Sequence, residues 1–378
     1  MQIGVLREVT PGERRVAVVP DVVARLAAAG IEVILEPGAG LGALFDDSSY
    51  EQKGARIAKD RRELLGGVEV VCKVRPPTEE EVQLFAPGAT VVSFLQPAED
   101  LGLIKALVAR KITAFSLDLL PRISRAQSMD ALSSQATVSG YRAALLAAEL
   151  LPRFFPMLMT AAGTVPPAKV LVLGAGVAGL QAIATARRLG AVVRAYDVRT
   201  AAGDEVRSLG ASFVELELEA QEGQGGYAKE QSEDFLVRQR QLIAKEVAAS
   251  DAVITTAAIP GRRAPVLVTA PMVEQMGPGS VIIDMAAESG GNCELSRPGE
   301  DVAVGAVIVH GVSNLPSSMP VHASFLYSRN IAALLGLLVT DGDLRPDFSD
   351  EIVASCCVTH DGALRHGPTA ELLGGTGQ

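Results

Sequence analysis

Several things are scarce in this chain, and each scarcity narrows its function. Basic charge is short: 34 Lys and Arg against 44 Asp and Glu leave a net charge of −10 and a pI near 5.1. Nucleic acid and anionic lipid are held by clustered cations, so neither is expected as a partner. Long apolar runs are missing too. Residues 331–339 form one of the longest, far short of the ~20 that cross a bilayer, so no direct membrane insertion is expected. The N-terminal MQIGVLREVTPGERR is charged early and has no apolar signal core, which predicts no export and a cytoplasmic chain. The four cysteines, Cys72, Cys293, Cys356 and Cys357, lack metal-ligand spacing with any histidine. No metal is expected, and adjacent Cys356 and Cys357 read as strand packing in a reducing compartment. No repeat or low-complexity tract breaks the sequence.

With 378 residues, 48% hydrophobic and 21% charged, the chain reads as globular with two domains. Up to about residue 120, short apolar strands at 3–6, 31–35, 68–74, 90–94 and 113–117 alternate with helical pattern, such as 22–29. That alternation predicts an α/β domain with a mainly parallel sheet. Glu8, Glu13, Arg14, Arg15 and Lys73 fall near its strand ends, either as ligand contacts or as solvated loop charges and local ion pairs. Residues 121–135, PRISRAQSMDALSSQ, are unusually polar. Taken alone they read as a helix start, with Asp130 or Ser128 as cap and Arg122 and Arg125 paired to acids. A helix is expected over 141–159, ended by Gly163 and Pro166-Pro167.

Residues 169–199, KVLVLGAGVAGLQAIATARRLGAVVRAYDVR, carry the strongest signal. The apolar run 170–173 is followed by G-x-G-x-x-G at Gly174, Gly176 and Gly179, then a helical pattern, then a second strand pattern ending at Asp197. Each glycine has a mechanical role: the tight turn, the close approach of backbone to a pyrophosphate, and helix–strand packing. The pyrophosphate would rest on the helix N-terminus. Asp197 lies eighteen residues past Gly179, placed to accept from adenosine ribose hydroxyls and to repel a 2′-phosphate, which favours NAD over NADP. A second match to the pattern, Gly38, Gly40 and Ala43, lacks a following apolar helix and reads as a loop.

Beyond Arg199 the α/β pattern resumes, with strands at 212–216, 252–256 and 281–284 and a helix at 235–248. Residues 223–233, GQGGYAKEQSE, read as a connector or as a mobile flap carrying Tyr227. A helix is expected over 321–339 and a returning strand over 352–358, turning at 359–363 to close the first domain. His310, His322, His360 and His366 all fall late and read as loop or capping residues.

Long segments of this chain resemble the alanine dehydrogenase and pyridine nucleotide transhydrogenase superfamily. They are RVAVVPDVV, PRISRAQSMDALSSQATVSGYRA, MTAAGTVPPAKVLVLGAGVAGLQAIATARRLGA, GGYAKE, ITTAAIPGRRAPVLV and GSVIIDMAAESGGNCEL. The resemblance spans almost the whole length and is strongest to the NAD(H)-binding components of proton-translocating transhydrogenases. It implies two Rossmann-like, doubly wound α/β domains with mainly parallel sheets, linked by long helices and separated by a cleft. Residues 1–138 with 318–378 would form one, and 139–317 the other.

The resemblance also implies site residues. Arg122, Asp130 and Ser133 match positions holding the nicotinamide and its ribose, and Gln127 one that touches the partner's NADP(H). Val177, Ala178, Asp197, Val198 and Arg199 match pyrophosphate and adenosine contacts, and Ala258 a strand-end contact. Tyr227 matches a loop tyrosine that closes over NAD(H), with Gly226 and Gln239 on or near that loop. The implied reaction is direct hydride transfer between NADH here and NADP⁺ on a partner subunit. Implied partners are a second copy and membrane-embedded subunits that carry the proton path, with this chain attached peripherally.

Alanine dehydrogenase is the near alternative. Its chemistry needs a proton carrier beside a carbonyl, supplied in that family by a lysine and a histidine. Lys73 matches the lysine, but Gln96 stands at the histidine position. Saccharopine-type dehydrogenases are more distant and lack the RISRAQSMD segment. A non-catalytic NAD-sensing module is the remaining alternative, disfavoured by the polar segment at 121–135.

Overall fold

Runs rich in valine and isoleucine become the strands, and burial on both faces explains why they are apolar throughout instead of alternating. In the computed structural model, residues 1–215, 233–258 and 263–374 are described. They fall into two units, residues 1–135 with 317–378, and residues 136–316.

The first unit carries an eight-stranded sheet. Its spatial order is Ala363–Leu364, Cys357–His360, Thr113–Ser116, Thr90–Ser93, Val70–Cys72, Gln2–Val5, Glu32–Leu35 and Arg56–Ile57. The first six strands in chain order all pair in parallel, while Cys357–His360 joins Thr113–Ser116 antiparallel. Strand order reverses between Gln2–Val5 and Val70–Cys72. That reversal is the switch point where open sheets of this kind take ligands.

The second unit repeats the plan in seven strands: Ser212–Phe213, Val192–Tyr196, Lys169–Leu173, Ala252–Thr255, Val281–Asp284, Val307–Gly311 and Asp301–Val304. Only the last is antiparallel. Its switch point lies between Lys169–Leu173 and Ala252–Thr255, beside the glycine triplet. A two-stranded hairpin, Leu158–Thr160 with Gly163–Val165, stands apart from this sheet. Both units are doubly wound α/β domains with mainly parallel sheets.

Three local expectations are corrected. The helix expected from residue 141 begins ten residues earlier and runs Ala131–Leu150. Its start is set by Asp130, whose carboxylate accepts the Ser133 N–H at 2.9 Å. It stops before Pro152, and residues 158–160 are strand, not helix. The strand expected over 352–358 is a helix, Glu351–Cys356, followed by strand Cys357–His360. Asp350 caps that helix by accepting the Ile352 N–H at 2.8 Å, and a short apolar run carries no periodicity to separate the two forms. Cys356 therefore packs from a helix end, not a strand. Of the histidines, only His366 sits at a cap; His310 and His360 lie on strands and His322 on helix Pro320–Leu338.

Candidate functional site

The loop after Lys169–Leu173 owes its shape to the three glycines, and each does something different. Gly174 has φ +101°, and a Cβ there would lie 2.6 Å from Thr256 Oγ1. A Cβ on Gly179 would lie 1.9 Å from the Gly174 carbonyl oxygen, so only glycine lets helix Val177–Arg188 pack this close. At Gly176 an added Cβ would meet no protein atom within 4 Å. Its backbone is extended, so nothing inside the protein demands glycine there, and the open space lies at the helix N-terminus. No side chain caps that helix, which leaves its first N–H groups and positive dipole end available to an anion. Val177 is exposed and Ala178 half-buried on this first turn. The loop therefore fits a dinucleotide pyrophosphate. By contrast, the decoy at Gly38, Gly40 and Ala43 is closed: a Cβ on Gly40 would strike Tyr50, and Asp47 accepts the Gly38 N–H.

Asp197 sits at the tip of the second strand as expected, but its carboxylate is already engaged. It accepts the Ala175 N–H at 2.7 Å, the Arg199 N–H at 2.9 Å, and Arg199 Nε and Nη2 at 3.0 Å each. Four donations use the acceptor sites of one carboxylate. Asp197 thus ties the strand tip to the glycine loop, and ribose hydroxyls reach it only by displacing Arg199. Charge repulsion against a 2′-phosphate is weaker than expected from the acid alone, because Arg199 neutralises it. Val198 is half-buried between the two. Gln239 is buried on helix Glu233–Ala248, where its Nε2 donates to the Tyr196 hydroxyl at 3.1 Å and braces the same strand tip. Gly226 and Tyr227 lie outside the described residues.

At the end of Ala252–Thr255, Thr256 Oγ1 donates to the Gly174 carbonyl at 3.0 Å. Ala258, exposed, follows Ala257, whose N–H donates to Asn292 Oδ1 at 3.0 Å.

The first unit's switch point is filled by charge. Lys73 is 1% exposed, and its Nζ donates to Glu81 at 2.7 Å, with Glu8 at 3.9 Å. Arg61 bridges Glu81 and Glu36 at 2.9 Å each, and Glu13 takes Arg15 at 2.7 Å and Arg75 at 3.0 Å. Four carboxyl groups, Glu8, Glu13, Glu36 and Glu81, thus face four cations, Arg15, Arg61, Lys73 and Arg75. Burial pushes the Glu8 carboxyl up to about 7, opposed by Lys73 and by the Val74 N–H it accepts. Burial alone would raise Glu13 as well, but the hydrogen bonds and charge of Arg15, with Arg75, outweigh it and hold Glu13 down to about 2. Of the residues expected as ligand contacts or as solvated loop charges and local ion pairs, Glu8, Glu13, Arg15 and Lys73 are in ion pairs, with side chains buried and not solvated, and Arg14 is exposed.

The polar segment 121–135 hangs from this network. Arg15 Nη1 donates to Gln135 Oε1 at 2.9 Å, Gln135 donates to the Ala323 carbonyl at 3.1 Å, and Asn330 donates to the Ser128 carbonyl at 2.9 Å. Arg125 pairs with Asp350. Arg122 and Gln127 are exposed around the turn Ser124–Met129. Asp130 accepts both the N–H and the Oγ–H of Ser133, at 2.9 and 2.6 Å, so the capping role read from the sequence is present. Gln96, half-buried, donates to Glu99, and His310 and His360 bond Asp301 and Thr113. The Lys73 amine has Glu81 and Glu8 as ionic partners, and among the described residues no group of three His, Cys, Asp or Glu could hold a metal.

A doubly wound pair of α/β units, one bearing a dinucleotide loop and a strand-tip acid, defines the class. The alanine dehydrogenase/PNT N-terminal domain matches residues 4–139, and the corresponding C-terminal domain residues 143–367. The chain belongs to the alanine dehydrogenase/PNT family. It is similar to the first of the parts that make up NAD(P) transhydrogenase subunit alpha in Rhodospirillum rubrum, 49% identical over 377 residues, covering 97% of this chain and 98% of that one. The crystal structure of transhydrogenase from Sinorhizobium meliloti superposes with a TM-score of 0.86 at 42% identity, covering 97% of this chain and all of the other. The alanine dehydrogenase of Bacillus subtilis is 32% identical over 330 residues, covering 85% and 81%.

Proposed function

We propose that this chain is the NAD(H)-binding component of a proton-translocating NAD(P) transhydrogenase, passing a hydride between NADH and NADP⁺ held by a partner subunit. The observation that carries this over alanine dehydrogenase is Lys73. Its amine is buried against Glu81 at 2.7 Å, and Gln96 offers no titratable group, so neither is free to move a proton at a carbonyl. Hydride transfer between two nicotinamides needs no proton carrier, since the bound dinucleotides supply the chemistry themselves. The protein's share is position and exclusion of water. The Gly174–Gly179 loop with Val177 and Ala178 holds the pyrophosphate. Asp197, Val198 and Arg199 serve the pyrophosphate and adenosine, Ala258 is a contact at its strand end, and Arg122, Asp130 and Ser133 hold the nicotinamide and its ribose. Gln127, exposed, faces the partner's NADP(H). Gly226 and Tyr227 belong to the same proposed cofactor site, and Gln239 stands behind the strand tip.

The purified chain should bind NADH yet fail to oxidise it with pyruvate and ammonia, and should transfer hydride only after an NADP(H)-carrying partner domain is added. Robust pyruvate-dependent turnover by the chain alone would overturn the assignment. In the mixture, Gln127→Asn should slow single-turnover hydride transfer by about tenfold with NADH affinity nearly unchanged, as expected of an orienting contact. Equal losses in both would remove Gln127 from that role.

A homodimer belongs to the same proposal, supported by the hairpin. Two strands alone are marginal in water, yet Met157 is 56% exposed and Met159 77% on or beside it. Met159→Glu should shift the sedimentation equilibrium from dimer to monomer, and an unchanged dimer would place the interface elsewhere. No helix among the described residues is long and apolar enough to cross a membrane. Peripheral attachment through membrane-embedded partner subunits belongs to the same proposal.

A further inference from the structure

We infer that Asn292 is a positioning residue for the nicotinamide end of the site, stapling both limbs of the segment that follows strand Ala252–Thr255. The inference rests on the NAD(H) reading for what the segment touches, and on geometry alone for the staple.

Asn292 is fully buried, just after strand Val281–Asp284 and the turn Ala287–Ser289. Its side-chain amide pairs with one peptide unit on each side of Ala257. Oδ1 accepts the Ala257 N–H at 3.0 Å, and Nδ2 donates to the Ala257 carbonyl at 2.8 Å. The second Nδ2 proton goes to the Pro265 carbonyl at 2.8 Å. The backbone carbonyl of the same residue accepts the Leu267 and Val268 N–H groups at 2.8 and 2.9 Å. One residue therefore holds the outgoing limb at Ala257 and the returning limb at Pro265 to Val268. An asparagine amide has the donor and acceptor spacing of a peptide group, so it acts as a strand neighbour where the sheet has ended.

The neighbouring contact gives the staple its direction. Thr256 donates to the Gly174 carbonyl at 3.0 Å, so residues 256 and 257 are wedged between the glycine loop and Asn292, and exposed Ala258 projects beyond them. A dinucleotide gripped by the glycine loop is held mainly through pyrophosphate and adenosine. Where its other end lies depends on the wall that Asn292 fixes. Loss of the staple should therefore cost orientation more than affinity.

Asn292→Asp tests this with little change in volume. The acceptor for the Ala257 N–H survives, but the second oxygen now faces the carbonyls of Ala257 and Pro265, which repel it unless it is protonated. In the full chain with its NADP(H)-carrying partner domain, single-turnover hydride transfer at pH 8 should fall by about a hundredfold, the scale of a 1 Å misplacement, and recover in part toward pH 5. The NADH dissociation constant of the chain alone should stay within about threefold. Equal losses of rate and affinity, or no loss of rate, would overturn the positioning role. A second measurement needs no variant: hydrogen exchange on the wild-type chain without nucleotide. The Ala257 amide should already be protected by about a hundredfold or more, since Asn292 and not the ligand holds it. Free exchange at Ala257 would refute the staple even if Asn292→Asp failed to fold. Protection at Ala257 in a chain that does not bind NADH would instead keep the staple and refute the NAD(H) reading.

Discussion

Replacing Gly176 by alanine should leave the chain as stable as the wild type and yet weaken NADH binding by about a hundredfold, the loss expected when a Cβ stands where a pyrophosphate must approach the backbone. The expectation follows from what surrounds the residue. The backbone is extended and an added Cβ meets nothing of the protein within 4 Å, so any penalty must come from the ligand. Gly179→Ala is the contrasting case. Its Cβ would fall 1.9 Å from a backbone oxygen, which cannot rotate away as a side chain could. Helix Val177–Arg188 must shift, with destabilisation of about 3 kcal/mol or more from overpacking, before any ligand is added. Urea unfolding and NADH titration of both variants separate the two effects. A Gly176→Ala protein that binds NADH normally would mean the dinucleotide lies elsewhere.

Glu13→Gln should destabilise the chain by about 3 kcal/mol at pH 7, from a carboxyl pKa lowered from 4.5 to about 2 at about 1.4 kcal/mol per unit. The sign follows from linkage. A folded-state value below the unfolded one contributes stability that is complete above pH 4.5 and is lost as pH falls through about 2. The difference between wild type and variant should therefore shrink as acid is added. Glu8 carries the opposite sign. Raised from 4.5 to about 7, its buried carboxyl binds a proton more readily in the folded chain, so stability falls as pH rises across that interval. Denaturant midpoints of Glu13→Gln and Glu8→Gln against pH would show slopes of opposite sense relative to wild type. Parallel curves would contradict the assignment of these two buried carboxyls.

The difference matters for function because Glu13 holds Arg15, and Arg15 holds Gln135 in the segment that carries Arg122, Gln127, Asp130 and Ser133. A chain with a loosened Arg15 should lose hydride transfer along with stability.

Local pattern alone determined much of this protein. Apolar runs of four or five residues, glycine spacing and an acid at a strand tip are properties of neighbours in sequence, so the α/β class, the loop at Gly174 to Gly179 and Asp197 were readable from one dimension. Short signals without periodicity were not: residues 352–358 became helix and strand because Asp350 caps the chain. The charges at Glu8, Glu13, Arg15 and Lys73 could be listed but not paired. Whether such a charge is solvated or buried depends on which strands lie side by side, and parallel strands bring together residues as distant as Glu8 and Glu81. Asn292 stood inside GGNCEL as one letter of a resemblance, without a role of its own. Only the adjacency of Ala252–Thr255 and Val281–Asp284 puts its amide against Ala257. Tertiary structure likewise decided that Asp197 shares its oxygens between Ala175 and Arg199. Hydrogen bonds are satisfied by proximity in space, and a residue's chemistry names its possible partners without choosing among them.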